Sequence, residues 1–458
     1  NTLYPVPNEA TVIAGGGTGS NIHRACRKYL QVNRDSKLWA VVYNATSGGS
    51  PATATGTIAI TGPATADGNF DVIVAGVRCP TGFRSGDSAT TIGDAVAAAI
   101  NAKTYLPVTA ANVTGTVTLT ARIAGASQGT ASLAAYRLHS EITLGTGVAA
   151  TTSAHIGAAT AGADGSTTEA ANQATALAAL DAVRKYWVGI STQASTEYGQ
   201  LKTHIQTKSE PRRGLRSAGI CAYTGSLANA QTLAIARNYE RLSMIWQPDA
   251  EAGPDELVGA ITAILQKGEQ VHTATNFDGV SLSDIIPNAY ATTSWPDAED
   301  QNDAINDGLM PISSSDSGPR IVMATTTRSK ASGGVIDDPR SLERHRISVA
   351  DEFSDEELGD FALNYTNKRL KDDELLPDGK FNPNQKTPPG VVTPSGFKPH
   401  ILKRYDDYEA AGKLQNVARS KQALRVVKTG SRLEVGGELN SIDLFHQATY
   451  LFSEVSEG

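Results

Sequence analysis

The run Gly15-Gly16-Gly17-Thr18-Gly19-Ser20 is the first group of residues whose types and spacing could do chemistry. A glycine-rich turn that opens onto a helix can present backbone N–H groups to a phosphate. On that reading Ala10–Ala14 is the strand before the turn and Ser20–Leu30 the helix after it. Three features argue against it: there is no Gly-Lys-Ser/Thr, the third glycine of a dinucleotide fingerprint is missing, and Tyr43-Asn44 stand where an acidic residue would end the next strand. The expectation is a tight turn that caps a helix.

Nucleophilic and metal chemistry find little support. The eight histidines, at 23, 139, 155, 204, 272, 345, 400 and 446, are dispersed, with no His-Glu-x-x-His or other paired ligand spacing. No Gly-x-Ser-x-Gly elbow is present, although a triad drawn from distant residues would leave no spacing to read. Three cysteines are too few and too scattered for a metal site or a disulfide framework. Cys26, on the apolar face of a helix, and Cys221, inside a strand, read as buried thiols. Cys79, in Val77-Arg-Cys-Pro-Thr-Gly82, reads as a turn residue and is the candidate for a thiol shared between subunits. The expectation is no enzyme, no metal and no cofactor.

Charge is more informative. Between Asp351 and Glu374 nine acidic residues face three basic ones; between Lys398 and Arg432 the ratio reverses, nine basic to three acidic. Two solvated faces of opposite sign would account for this. A sharper reading has acidic and basic surfaces meeting across subunits or against a partner, where they steer docking and fix register. Lys403, Arg404, Lys413, Arg419 and Lys421 are the candidate basic surface. The net charge of −7 argues against nucleic acid as the partner of the whole molecule. No apolar run approaches the roughly 18 residues of a membrane helix, and the start lacks the pattern of a signal peptide.

The elements that must position these residues follow from hydrophobic period. With 458 residues and 40% hydrophobic content, the chain should form two to four domains. Ser20–Leu30 reads as a helix and Lys37–Tyr43 as a buried strand. From Ser47-Gly-Gly-Ser-Pro51 to about Gly165 the chain turns Thr-, Ala- and Gly-rich, with alternating strands and one helix at Thr91–Asn101. That stretch reads as a mostly antiparallel inserted domain. Helices and strands alternate from Thr168 to Gln266, which implies a largely parallel, two-sided sheet. Further on come a helix at Asp297–Gly308, a strand at Arg320–Thr327, a long acidic helix near Ser354–Leu370 and a Pro/Gly-rich connector from Pro377 to Pro399. The expected domains are 1–47 (first part of an α/β core), 48–165 (peripheral β-rich insertion), 166–330 (core) and 331–458 (C-terminal α+β domain with a linker arm).

The end of the chain reads as a helix, His400–Gly412, followed by strand-like Gln422–Lys428 and Ser441–Phe452. Strands left without a partner expose N–H and C=O groups that invite another chain to complete the sheet. Ile442, Leu444, Phe445, Tyr450, Leu451 and Phe452 are the candidate residues for such pairing between subunits.

Several segments together resemble the Mu-like contractile-tail sheath proteins. They are Gly19–Leu30 with Lys37–Val42; Thr55–Thr61, Asp94–Ala102, Leu106–Ala110 and Gly115–Arg122 in the insertion; Ala304–Pro311 with Val322–Arg328; and Tyr405–Asn416. The resemblance covers most of the chain, and the order of the segments is its specific part. It implies a subtilisin-like core without subtilisin chemistry and a structural role. Many copies would form a helical sleeve around a tail tube protein, bounded by baseplate and tail terminator proteins. Contraction would drive the tube through the host envelope for genome delivery, with no membrane insertion of the sheath itself. Assembly would take place in the host cytoplasm and the product would be part of the virion. In the family, terminal strands join the sheets of adjacent subunits. Family members usually carry an arm before the first helix that is short in this sequence, which would shift the linkage towards the C-terminal strands. The reading in another class is a degenerate α/β hydrolase with a β-rich accessory domain. A third takes residues 51–165 as a sugar- or surface-binding module, which the scarcity of aromatics in its strands disfavours.

Overall fold

The computed structural model describes residues 2–43, 52–125, 136–144, 147–210, 213–331, 337–338, 340, 342–379 and 382–443. The chain divides into two compact units, Asn1–Gly268 with Phe277–Arg344, and Glu269–Asn276 with His345–Gly458.

The first unit begins with β1 (Leu3–Pro5), α1 (Glu9–Gly16), α2 (Asn21–Val32) and β2 (Trp39–Val41). Residues 10–14 are helical rather than extended because Asn8 caps a helix there, its Oδ1 accepting from the Thr11 N–H at 3.1 Å. β1 and β2 pair antiparallel as a separate two-stranded ribbon. The segment expected as a buried strand, Lys37–Tyr43, is therefore shorter and half-exposed: Ala40 is buried, Trp39 is not.

The insertion contains β3 (Thr53–Thr61), β4 (Gly68–Val74), β5 (Val77–Phe83), α3 (Ala89–Ala102), β6 (Val108–Val113), β7 (Thr116–Ala124), β8 (Leu138–Leu144) and β9 (Ala149–Thr152). Two antiparallel sheets form, in the orders β6-β7-β3-β9 and β5-β4-β8. The alternation of β3 and β7 buries one face of each strand, and α3 adds Ile92, Val96 and Ile100 at helical spacing. The resulting core draws only on residues 54–156.

Next come α4 (Glu169–Ala178), β10 (Trp187–Gly189), α5 (Ser195–Lys208), β11 (Ala218–Tyr223), α6 (Leu227–Arg237), β12 (Leu242–Trp246), α7 (Pro254–Val271), α8 (Ala298–Asn306), β13 (Met310–Ser313) and β14 (Arg320–Ile321). β10, β11, β12 and β13 run parallel in that order, and β14 adds antiparallel at the edge. Every residue of β11 and β12 is buried, as expected of strands covered on both faces. Two apolar clusters lie on opposite sides of this sheet, one under α7 and one under α5 and α6. The expected strand Arg320–Thr327 shrinks to two residues. The threonines that follow, Thr325 to Thr327, are fully buried and serve β12 and its approach by hydrogen bonds, including Ser243 Oγ to the Thr325 carbonyl at 2.7 Å.

The second unit contains α9 (Arg344–Asn364), β15 (Arg369–Leu370), β16 (Val391–Val392), α10 (Pro394–Ala410), α11 (Val417–Ala423), β17 (Arg425–Thr429) and β18 (Arg432–Gly436). α10 starts six residues before the expected His400, inside the stretch read as a connector. Thr393 is its N-cap and Pro394 occupies its first turn, where a missing N–H costs nothing. Phe397, Ile401, Tyr405 and Tyr408 form the buried stripe of α10 and pack against Val349 and Phe353 of α9. Among the described residues no helix is long and apolar enough to cross a membrane.

Candidate functional site

The glycine-rich turn is already filled by the protein. Gly17 and Gly19 have φ of 81° and 74°, the left-handed region that favours glycine, and a Cβ on Gly19 would stand 2.3 Å from the Leu106 carbonyl oxygen. The Gly19 N–H donates to Nδ1 of buried His23 at 2.9 Å. That bond makes Nδ1 the acceptor, so Nε2 carries the hydrogen and donates to Glu9 Oε1 at 2.8 Å. The turn's Gly19 N–H is thus taken by an imidazole of α2 itself, and the His23 N–H by the Ser20 N-cap hydroxyl at 3.2 Å.

Other histidines are likewise tied to neighbours. His139 Nε2 meets Glu251 Oε1 at 2.9 Å, His204 lies 3.3 Å from Asp181, and His272 and His345 bond the carbonyls of Ala411 and Ile442. Among the described residues no group of three His, Cys, Asp or Glu side chains is placed to hold a metal ion. Cys79 lies within β5 and is fully buried; burial pushes its thiol up to about 11. The turn placement expected for it is therefore corrected. Pro80 and Gly82 suggested a bend, yet both sit at outward positions of an edge strand, where a missing N–H is tolerated.

The charged tracts come together within the second unit. The guanidinium of Arg404 on α10 bonds Glu356 at 2.7 Å, Glu357 at 3.0 Å and Asp360, all on α9. The spacing is the cause: positions 356, 357 and 360 lie on one face of a helix, and one forked cation reaches all three. Burial alone would lower the Arg404 pKa, but its bond to Glu357 and the surrounding carboxylates raise it on balance. Lys413 bonds Glu352 at 2.6 Å, Lys421 pairs with Asp406, and Arg419 lies 3.6 Å from Glu438. Lys403 points outward and is exposed. Of the five residues expected to form one basic surface, four meet carboxylates of their own unit. Numbers of charges along the chain could not show this, because it depends on α9 and α10 lying side by side.

Beyond α11 the chain forms a two-stranded hairpin. β17 pairs β18 antiparallel from Arg425↔Gly436 to Thr429↔Arg432, and among the described residues no third strand joins it. The expected strand Gln422–Lys428 thus begins later, at Arg425, because Val417–Ala423 is helical. Val426 and Leu433 turn inward to the unit's core, and the Tyr405 hydroxyl donates to the Glu438 carbonyl at 3.1 Å just after β18. Val427 and Val435 are 46% and 48% exposed. Such a ribbon is marginal alone, and among the described residues no strand pairs with either of its edges. Ser441 forms a single bridge to Leu414, and the Ile442 N–H donates to the Lys413 carbonyl at 3.2 Å. Leu444, Phe445, Tyr450, Leu451 and Phe452 lie outside the described residues.

The fold and this surface define a multidomain α/β protein whose charged side chains mainly brace its own elements, with an open ribbon close to the C-terminal end. No family model matches the chain. Over 109 residues, 24% of this chain, the sequence is 33% identical to the tail sheath protein of the Mu-like prophage FluMu of Haemophilus influenzae. The match spans about a fifth of that relative, 22% of its length. The chain is thus similar to a tail sheath protein of the kind its own residues resemble. Solved structures with some likeness include the sheath tail protein of Desulfitobacterium hafniense, at 11% identity and TM-score 0.48 over 92% of this chain and 84% of that one. The sheath tail protein of Listeria innocua has 9% identity and TM-score 0.49, over 97% and 89%. A chain in the baseplate of the anti-feeding prophage has 10% identity and TM-score 0.41, over 62% and 72%.

Proposed function

We propose that this chain is a structural subunit of a contractile tail sheath. Many copies polymerise as a sleeve around a tail tube, and the sleeve contracts to drive the tube through a host envelope and deliver a genome. The observation that carries the reading is the 33% identity to a tail sheath protein over 109 residues, together with the ordered segments that resemble that family. On this reading the parallel sheet is the subtilisin-like core of the subunit, used as a rigid body. The protein is no enzyme, and its partners are its own copies, the tube, the baseplate and the tail terminator. It is part of a virion assembled in the host cytoplasm.

The open ribbon β17–β18 supports a linkage by strand addition. It presents backbone donors and acceptors at two edges, and the residues after Asp443 are rich in strand-forming types. Backbone pairing suits a lattice whose rigid subunits must rotate while staying joined, because it anchors an extended arm without demanding side-chain fit. Ile442, Leu444, Phe445, Tyr450, Leu451 and Phe452 are assigned to that arm.

Negative-stain microscopy of the purified chain, alone and with co-expressed tube protein, tests the reading. Tubes of sheath-like cross-section are the expected result. A protein that stays monomeric under both conditions overturns it. Removing residues 441–458 should abolish polymers while leaving the thermal transition of the core in place; unchanged polymers would refute the strand linkage.

A further inference from the structure

The outer side of α9 carries an apolar stripe that its own unit covers at one end, where Tyr365, just past the helix, packs on Phe397 of α10, and leaves open at Leu358 and Ala362. Leu358, Phe361, Ala362 and Tyr365 follow the i, i+3, i+4, i+7 spacing of one helical face. Leu358 is 51% exposed and Phe361 43%, with Ala362 exposed beside them. Phe361 stacks on Tyr365 with ring centroids 6.1 Å apart, which holds the stripe in one arrangement. Beside it, three carboxylates, Glu356, Glu357 and Asp360, meet one permanent cation, Arg404, with His400 Nε2 3.3 Å from Glu357 and 3.7 Å from Asp360, so acidic groups outnumber basic ones on this side of the helix.

A surface of opposite character lies elsewhere on the same unit. The outer face of the β17–β18 ribbon holds Val427, 46% exposed, with exposed Arg425 and Arg432 on either side and Glu434 opposite. One patch is thus apolar with anionic surroundings, and the other is an exposed valine set among two arginines, a threonine and one glutamate. We propose that the α9 stripe of one copy docks on the outer face of the β17–β18 ribbon of a second copy. This inference rests on the sheath reading and names a contact of its polymer.

The two patches differ from each other, so the contact is head-to-tail rather than self-complementary. Such contacts propagate into rings or open helical filaments instead of stopping at a dimer. The apolar centres supply affinity and the charges fix which patch meets which. Docking on the face of the ribbon leaves its edges available for strand addition.

The test uses the full chain and two charge variants, Leu358→Lys/Ala362→Lys and Arg425→Glu/Arg432→Glu, each checked by circular dichroism for an unchanged thermal transition. Every altered side chain is exposed, so folding should be preserved. By sedimentation velocity and negative stain, each variant alone should need at least tenfold more protein than the wild type to polymerise. Mixed in equal amounts they should regain wild-type assembly, because a lysine-bearing stripe meets a glutamate-bearing ribbon in alternation with two unaltered patches. The milder Leu358→Ser should raise the assembly threshold less than the double lysine variant. Wild-type assembly by either variant alone, or a mixture no better than its components, overturns the contact and leaves the sheath reading standing. A double lysine variant that polymerises normally but no longer binds the tube would assign the stripe to the tube instead. Failure of the wild type to polymerise with tube present removes the sheath reading itself.

Discussion

Two arginines perform the same task in the two units, under different solvent exposure. Arg24 on α2 is 1% exposed, with Nε on Asp255 at 2.9 Å and Nη2 2.8 Å from Glu256; its guanidinium also lies 4.9 Å from the Tyr136 ring centroid. Arg404 on α10 meets three carboxylates, but its side chain is 18% exposed and those of Glu356 and Asp360 are 41% and 33% exposed. Both pin one helix to another. Arg24 does so where water cannot reach, so that site is fixed by the need to keep a buried charge compensated. Arg404 does so at a rim where Glu356 and Asp360 stay in contact with water and their charges are screened. One is a core pin that also reaches Tyr136 of the insertion; the other is a brace in contact with water.

Removing the core pin should have the largest effect. Arg24→Met leaves Asp255 and Glu256 buried without their cation, and should destabilise the first unit by about 3–5 kcal/mol in denaturant unfolding. Adding Asp255→Leu and Glu256→Leu should recover most of that loss. If the triple variant is no better than the single, packing around Arg24 rather than charge compensation holds the helices. Arg404→Ala should cost about 1–2 kcal/mol, between the surface and buried limits, with a loss that shrinks as salt is raised. A salt-independent loss would place Arg404 with Arg24.

Glu169 offers a smaller, pH-dependent comparison. Burial, then the charges of Glu197 and Asp164, push its carboxyl up to about 8. A group with a raised folded pKa contributes stability that is fully present below the unfolded value, near 4.5, and is lost as pH rises through about 8. Glu169→Gln removes the titration, so its melting temperature should exceed that of the wild type at pH 9 and not at pH 5. Equal shifts at both values would show that the carboxyl is not the titrating group. The smallest effect is expected of Lys421→Ala, whose partner Asp406 is more than half exposed: within about 0.5 kcal/mol of the wild type.

Much of the local structure was legible because it follows from periodicity. The strands at 218–223 and 242–246 are short runs dominated by apolar residues, and α3 and α5 show helical spacing. Where neighbouring structure overrides that signal, the sequence misleads. Ala10–Ala14 is rich in apolar and β-branched residues yet is helical under the Asn8 cap. Arg320–Thr327 reads as one strand, but its threonines leave the ladder to bond β12. The Pro-rich run before His400 hides the start of α10, because Pro394 and Thr393 are punctuation for a helix as readily as for a loop.

The candidate surface divides the same way. The sequence alone determined that residues 351–374 are acidic and 398–432 basic, and that no Gly-x-Ser-x-Gly elbow or paired metal-ligand spacing occurs along the chain. Those are counts along a chain, and a count carries no direction in space. Tertiary structure decided that Arg404 and Lys413 turn inward to carboxylates of α9, that Cys79 faces a core, that His23 fills the glycine turn, and that the face left open is apolar. Coulomb energy depends on distance and solvent rather than on position in the sequence. Only the packing of α9 against α10 could therefore sort the charges already satisfied from those still facing out.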